Sequence, residues 1–208
     1  VEEKMKFVPF EHDWTLAEVK SRFNTPEEFE KRNLALYRQL SGYDLALEVA
    51  ATKPTLVIDI GCGGNVFKEY ITTLSGIDIV PHPNVDIVDD IHNAGQYYEP
   101  ESADWIFNFG PLQYTDPNRQ VEMMANLLKP GGTIVAHTNV RAPWSIEYIK
   151  TLGEAFGLTL DSIDISYTVT GIMNEEDYKI QTKVSAWKNN EFSMENFVAP
   201  RLTWRWYK

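Results

Sequence analysis

A run of apolar, mostly β-branched residues, Leu56-Val57-Ile58-Asp59-Ile60, breaks abruptly into Gly61-Cys62-Gly63-Gly64-Asn65, and no other stretch constrains the fold as tightly. An apolar run of this length ending in glycines reads as a buried strand that turns sharply. Behind it Val66, Phe67, Tyr70, Ile71 and Leu74 recur at helical spacing, which predicts strand, tight turn and helix in succession. Glycine is required at the turn because the backbone takes conformations that a Cβ forbids and because a ligand must approach the main chain closely. This is the opening of a nucleotide-binding βαβ unit.

Several cofactors use such a turn. The dinucleotide fingerprint wants Gly or Ala at the sixth position of G-x-G-x-x-G, where this chain has Val66. A phosphate-binding P-loop is excluded because no Gly-Lys-Ser/Thr follows. Asp59 stands two places before Gly61 at the mouth of the strand, and Asp78 ends the next apolar stretch, Gly76-Ile77-Asp78-Ile79. An anion beside the turn repels a pyrophosphate but suits the cationic amino group of an amino-acid moiety. Asp78 falls where an acid would hydrogen-bond the two hydroxyls of a ribose.

With these residues the chain resembles the class I S-adenosylmethionine-dependent methyltransferases, whose first motif is an acid-x-Gly-x-Gly-x-Gly turn. Asp59-Ile60-Gly61-Cys62-Gly63 matches it, and Asn65 stands at the usual third glycine. Asp78, then Asp89-Asp90-Ile91, Asp104-Trp105-Ile106-Phe107-Asn108 and Leu127-Leu128-Lys129-Pro130-Gly131-Gly132-Thr133 follow in the family's order. The resemblance covers residues 54–140. It implies a doubly wound α/β fold with a mainly parallel, seven-stranded Rossmann-like sheet, helices on both faces and S-adenosylmethionine as cofactor. Carried over by position, it implies Asp59, Gly61, Gly63 and Gly64 at the methionine end, Asp78 at the ribose, and Asp90 with Ile91 at the adenine. Ile60, Cys62, Ile79, Asn108 and Phe109 complete the implied cofactor site.

A chain of 208 residues is most simply one domain, here an N-terminal helical segment (1–53), the cofactor core (54–140) and the remainder of the sheet (141–208). The formal net charge of -11 argues against a nucleic-acid substrate, which needs clustered Lys and Arg. Cys62 is the only cysteine, so no internal disulfide forms. With no apolar signal core at residues 1–6 and no run of membrane-spanning length, the expected setting is soluble and cytoplasmic.

Along the chain, Thr25-Pro26-Glu27-Glu28 opens a helix carrying Phe29, Leu36, Tyr37 and Leu40, and Tyr43–Ala50 forms another helical piece. This segment is expected to cap the crevice, with Phe10, Trp14, Phe23 and Tyr37 as candidate aromatic contacts, and the same pattern equally describes a dimer helix. Val85–Val88 reads as a third strand and Trp105–Phe109 as a fourth. His82, Asp86, Asp89, Asp90 and His92 match no zinc or EF-hand spacing, so no metal is expected.

Residues past the carboxyl ends of the strands line the ligand crevice in such folds, which puts the acceptor near Asn108–Tyr114. Amino-methylating nucleic-acid enzymes of the resembled family carry two adjacent prolines there. Asn108-Phe109-Gly110-Pro111 does not. Asp116-Pro117 starts a helix with Val121, Met124 and Leu128 inward, Lys129–Gly132 closes it, and Thr133–Ala136 forms the fifth strand. That strand delivers His137, which has the intrinsic pKa of a general base and also suits a structural role. Pro143–Phe156 reads as a helix and Ile163, Ile165, Tyr167 and Val169 as a sixth strand. Residues 202–207 form the antiparallel seventh, leaving 171–200 as a substrate-facing insertion.

The function expected is methyl transfer to an unidentified acceptor, a small molecule or protein, with Tyr114, His137 and Asn108 as catalytic candidates. The alternatives are a nucleic-acid methyltransferase, a dinucleotide-linked oxidoreductase and a binding module without chemistry.

Overall fold

The computed structural model describes residues 42–82, 84–139, 143–169 and 198–208. The N-terminal helices ahead of residue 42, the aromatics Phe10, Trp14, Phe23 and Tyr37, and residues 171–197 of the expected insertion lie outside the described residues.

Helix α1 (Gly42–Ala51) precedes β1 (Val57–Ile60), β2 (Leu74–Asp78), β3 (Ile87–Val88) and β4 (Ala103–Phe109). Helix α2 (Pro117–Leu127), β5 (Leu128–Asn139), α3 (Ile146–Glu154), β6 (Thr159–Val169) and β7 (Val198–Tyr207) follow. Short 3₁₀ helices occupy Val66–Glu69, Ile91–Gln96 and Pro111–Gln113. The seven strands form one sheet in the order β3-β2-β1-β4-β5-β7-β6. All neighbours are parallel except β7, which runs antiparallel between β5 and β6.

Both faces of the sheet are covered. Ala46 and Val49 of α1 pack with Phe67 and Ile71 on Val57, Phe107 and Val135. On the other face Val121 and Met124 of α2 and Tyr148, Ile149 and Leu152 of α3 pack on Ile58, Ile106, Ile134, Trp204 and Trp206. Alternation along each strand feeds both cores, as a sheet buried on two sides requires. Arg205 of β7 grips Glu48 of α1 through two hydrogen bonds of 2.6 and 2.7 Å, fastening the helix to the late strand.

Several expected elements are corrected. The helix after the glycine turn is only the 3₁₀ helix Val66–Glu69, and Leu74 already belongs to β2. Phe67 and Ile71 do face the core at helical spacing, but Asn65 ahead of them is left-handed (φ 50°) and the segment closes through Tyr70 N–H to Phe67 C=O. The third strand shrinks to Ile87–Val88, because Val85 N–H is spent on a turn to the His82 carbonyl (3.0 Å) and only Ile87 and Val88 register with β2. Lys129–Gly132 does not close α2 but runs inside β5. There the Gly131 N–H donates to the Lys208 carbonyl (2.9 Å), and a register shift against β4 absorbs the extra residues. The helix expected from Pro143 begins at Ile146, since the Ser145 hydroxyl accepts the Tyr148 N–H (3.1 Å) as its cap. Residues 202–207 form an antiparallel strand as expected, though β7 begins at Val198 and so takes residues 198–200 from the insertion.

Candidate active site

The glycine turn folds back over β2. Gly61 N–H (2.8 Å) and Cys62 N–H (3.2 Å) both donate to the Ile77 carbonyl, and Gly63 N–H donates to Asp78 Oδ2 (2.8 Å). Gly61 (φ 70°) and Gly63 (φ 53°) take the left-handed region that such a turn needs, and a Cβ on Gly61 would run into Pro111 of the loop after β4. Asn65 holds the same conformation where the family has glycine; Asn tolerates it better than most residues. Its Nδ2 donates to the Asn84 carbonyl (2.7 Å) and to Asp86 Oδ2 (3.1 Å). Asp86 also accepts the Gly76 N–H (2.9 Å) and pairs with Lys68, so it ties the turn to β2 and to the loop before β3. The sequence carried no signal for that role.

Asp59 is fully buried, and neither of its carboxyl oxygens has a hydrogen-bond partner among the described residues. Burial, reinforced by the nearby Asp78 charge, pushes its carboxyl well above the ordinary carboxylate range. Asp78 is nearly buried, accepting from Gly63 N–H and from Val80 N–H (2.9 Å). Burial raises its carboxyl, while the Val80 and Gly63 amides work against that rise. Ile60 is buried on the opposite face, Ile79 is partly exposed past the end of β2, and Cys62 and Gly64 are buried in the turn.

Register carries this arrangement across the sheet. Asp59 sits level with Gly76 on β2 and Phe107 on β4, and Phe107 with Val135 on β5. Two residues further on, Phe109 pairs with His137, and His137 with Thr203 of β7. The Phe109 and His137 rings lie 5.0 Å apart, and Phe107 stacks beneath Phe109 at 5.3 Å. An aromatic row, with Phe67 edge-on to both phenylalanines at 5.3 and 5.6 Å, therefore begins beside the glycine turn and runs toward β7. Thr203 at its far end is a residue the sequence did not point to, because only the antiparallel insertion of β7 brings it there.

Asn108 lies on the other face. Its Nδ2 donates to Gln120 Oε1 (2.9 Å), its Oδ1 accepts the Leu112 N–H (3.3 Å), and it is fully buried. Gln120 in turn donates to the Pro111 carbonyl (3.0 Å) and to Thr115. This pair clamps the loop after β4 onto α2. Tyr114, at the end of the 3₁₀ helix Pro111–Gln113, is partly exposed, and His137 is 8% exposed.

Past β3, Asp90 caps the helix Ile91–Gln96. Its Oδ1 accepts the His92 N–H (3.0 Å) and meets His92 Nδ1 at 2.8 Å. Ile91 packs against the core, and Asp89 separately accepts from Asn93 and Tyr97. Among the described residues no group of three or more His, Cys, Asp or Glu side chains converges as a metal cage would. No described helix is long and apolar enough to cross a membrane.

No protein-family model matches the chain, and no curated protein sequence does. Solved structures do match. A plantazolicin methyltransferase, in complex with a triazolic desmethyl analogue and S-adenosylhomocysteine, aligns over 92% of this chain and 95% of its own at 16% identity and a TM-score of 0.54. A methyltransferase of Archaeoglobus fulgidus aligns over 91% of this chain and 98% of its own at 16% identity and a TM-score of 0.56. A [4+2]-cyclase aligns over 98% of both chains at 10% identity and a TM-score of 0.54. The strand order, the antiparallel β7 and these likenesses define the chain's fold as that of the class I S-adenosylmethionine-dependent methyltransferases.

Proposed function

We propose that the chain binds S-adenosylmethionine across the carboxyl ends of β2, β1 and β4 and transfers its methyl group to a small-molecule or protein acceptor over β4, β5 and β7. The observation that carries this reading is Asp59. A buried carboxyl with two unpartnered oxygens at the mouth of a glycine turn calls for a cationic donor, which the methionine end of this cofactor has and a pyrophosphate lacks. The bound cofactor supplies an electrophilic methyl group on a sulfonium. The protein's task is then to align the acceptor with it and keep water out.

The glycine turn with Asp59 holds the methionine end, helped by Ile60, Cys62 and Gly64. Asp78, fixed by two backbone amides, offers its remaining lone pairs to the ribose hydroxyls, with Ile79 alongside. Asp90 and Ile91 take the adenine. Asn108 acts through Gln120 to hold the loop after β4, and Phe109 with His137 floors the acceptor site. His137 or Tyr114 accepts a proton if the acceptor is a hydroxyl or a protonated amine. The net charge of -11 favours neutral or cationic acceptors over nucleic acid.

The cyclase of the same fold favours a second reading, in which the cofactor pocket is kept and other chemistry, or none, is done. Calorimetry with S-adenosylmethionine, S-adenosylhomocysteine and NAD tests the first. Tight binding of the two sulfur nucleosides is expected, and preferential binding of NAD would overturn it. Cofactor binding without methylated product from a panel of amine, hydroxyl and thiol acceptors would favour the second.

A further inference from the structure

Asp90 lies just past the carboxyl end of β3 with one oxygen already taken. Its Oδ1 receives both the backbone N–H and the ring Nδ1 of His92, while Oδ2 has no partner among the described residues. A carboxylate only accepts, so Nδ1 of His92 carries the donated proton. The opposite nitrogen, Nε2, is buried without a partner among the described residues, so the ring's hydrogen bonding to them is directed at Asp90 alone. With only the backbone N–H as donor, the carboxylate could turn about its last bond and exchange oxygens. A second donor on the same oxygen restrains that rotation and keeps Oδ2 directed outward as an acceptor.

Resting on the cofactor placement proposed above, we propose that His92 is a positioning residue that sets the purine selectivity of the site: by fixing Asp90 it makes the protein accept a 6-amino purine and reject a 6-oxo one. The exocyclic amine of adenine donates to Oδ2, whereas the carbonyl of hypoxanthine would put oxygen against oxygen. A site built around a fixed acceptor rejects the analogue lacking the donor far better than a mobile one does. Beyond Asp90, His92 borders a cavity of about 410 Å³ shared with Gly95, Tyr98, Arg119 and Met123. Replacement side chains have room there.

The test measures, on the full chain, the affinity ratio of S-adenosylhomocysteine to S-inosylhomocysteine for the wild type and for His92→Leu, His92→Gln and His92→Asn, with melting temperatures alongside. The wild type is expected to prefer the adenine form. His92→Leu and His92→Gln should each reduce that preference about tenfold, as for loss of one charge-assisted hydrogen bond. His92→Asn, whose amide nitrogen falls near the position of Nδ1, should restore most of it. A purely structural histidine would lower the melting temperature and weaken both ligands equally, and an unchanged ratio in both His92→Leu and His92→Gln would overturn the proposal. A wild type that binds neither nucleoside would remove the cofactor reading itself. One that binds both equally would leave that reading standing and remove the selectivity of Asp90 and His92.

Discussion

Asp59 is fully buried, and no described residue donates a hydrogen bond to stabilise its charge, so the protein by itself holds the carboxyl most comfortably with its proton on. Its folded-state pKa lies above the unfolded one because of burial and then Asp78. The stability it contributes is therefore fully present below the unfolded carboxylate value and is lost as pH rises through the folded value. A cationic ligand reverses this, since it favours the ionised form, and cofactor affinity should rise with pH over the same window. Asp59→Asn removes the titration. It should raise the melting temperature of the cofactor-free protein by about 2–4 °C, more at pH 8 than at pH 6, while weakening S-adenosylhomocysteine binding by roughly 1.5–3 kcal/mol. Melting curves at the two pH values and calorimetry decide it; a variant less stable at both, with normal binding, would make the aspartate structural.

At the scale of elements, the turn after β1 depends on what surrounds each glycine as much as on its backbone. Gly61 (φ 70°) and Gly131 (φ 80°) share a conformation, but a Cβ on Gly61 meets Pro111, and one on Gly131 meets open space. Gly131→Ala should cost about 1–2 kcal/mol, the backbone penalty alone. Gly61→Ala adds overpacking and should cost roughly 2–5 kcal/mol, together with cofactor binding. Urea unfolding of the pair separates the two contributions, and equal losses would show that Pro111 yields freely. The strands were largely legible because apolar runs punctuated by glycine and acid mark them directly. The helix after β1 was misread because Phe67 and Ile71 carry helical spacing in a segment too short to hold a helix between Asn65 and Leu74. Of the candidate site, the local geometry was legible where one residue decides it, as with the left-handed Gly61 turn and the place of Asp59 on β1. It was not where partners distant in sequence decide, as when Gln120 turns Asn108 onto α2 or β7 delivers Thr203.

For the whole molecule, the amino edge of the sheet is gathered on Asp104. Its carboxylate accepts from Thr55 N–H (2.7 Å), Thr55 Oγ1 (2.6 Å), Leu56 N–H (3.1 Å) and Lys129 Nζ (2.8 Å), joining β1, β4 and β5. Burial alone would raise this carboxyl, but the bonds from Lys129, Thr55 and Leu56 outweigh it and hold the group well below the ordinary range. A depressed folded pKa contributes stability that is present above the unfolded value and is lost as pH falls through the folded one. Asp104→Asn should therefore cost about 1–2 kcal/mol at pH 7 and close on the wild type below about pH 4, measured by urea unfolding across pH. A gap that persists in acid would mean the bonds act through geometry and not charge.

The antiparallel seat of β7 has a consequence for how the molecule assembles. Among the described residues β6 has no neighbour other than β7, and β7 lines the outer edge of β5 from Thr133 opposite Tyr207 to Asn139 opposite Arg201. Without that strand, five parallel strands would end in an open row of amide and carbonyl groups on β5, and β6 would have no described strand to pair with. The slot can be filled only by a segment far along the chain from β5, so its closure is a slow, long-range event. In the interval the β5 edge is a template for any extended chain nearby, a second copy of β7 included. Crowded refolding is thus where this protein is most exposed to exchanging strands between molecules.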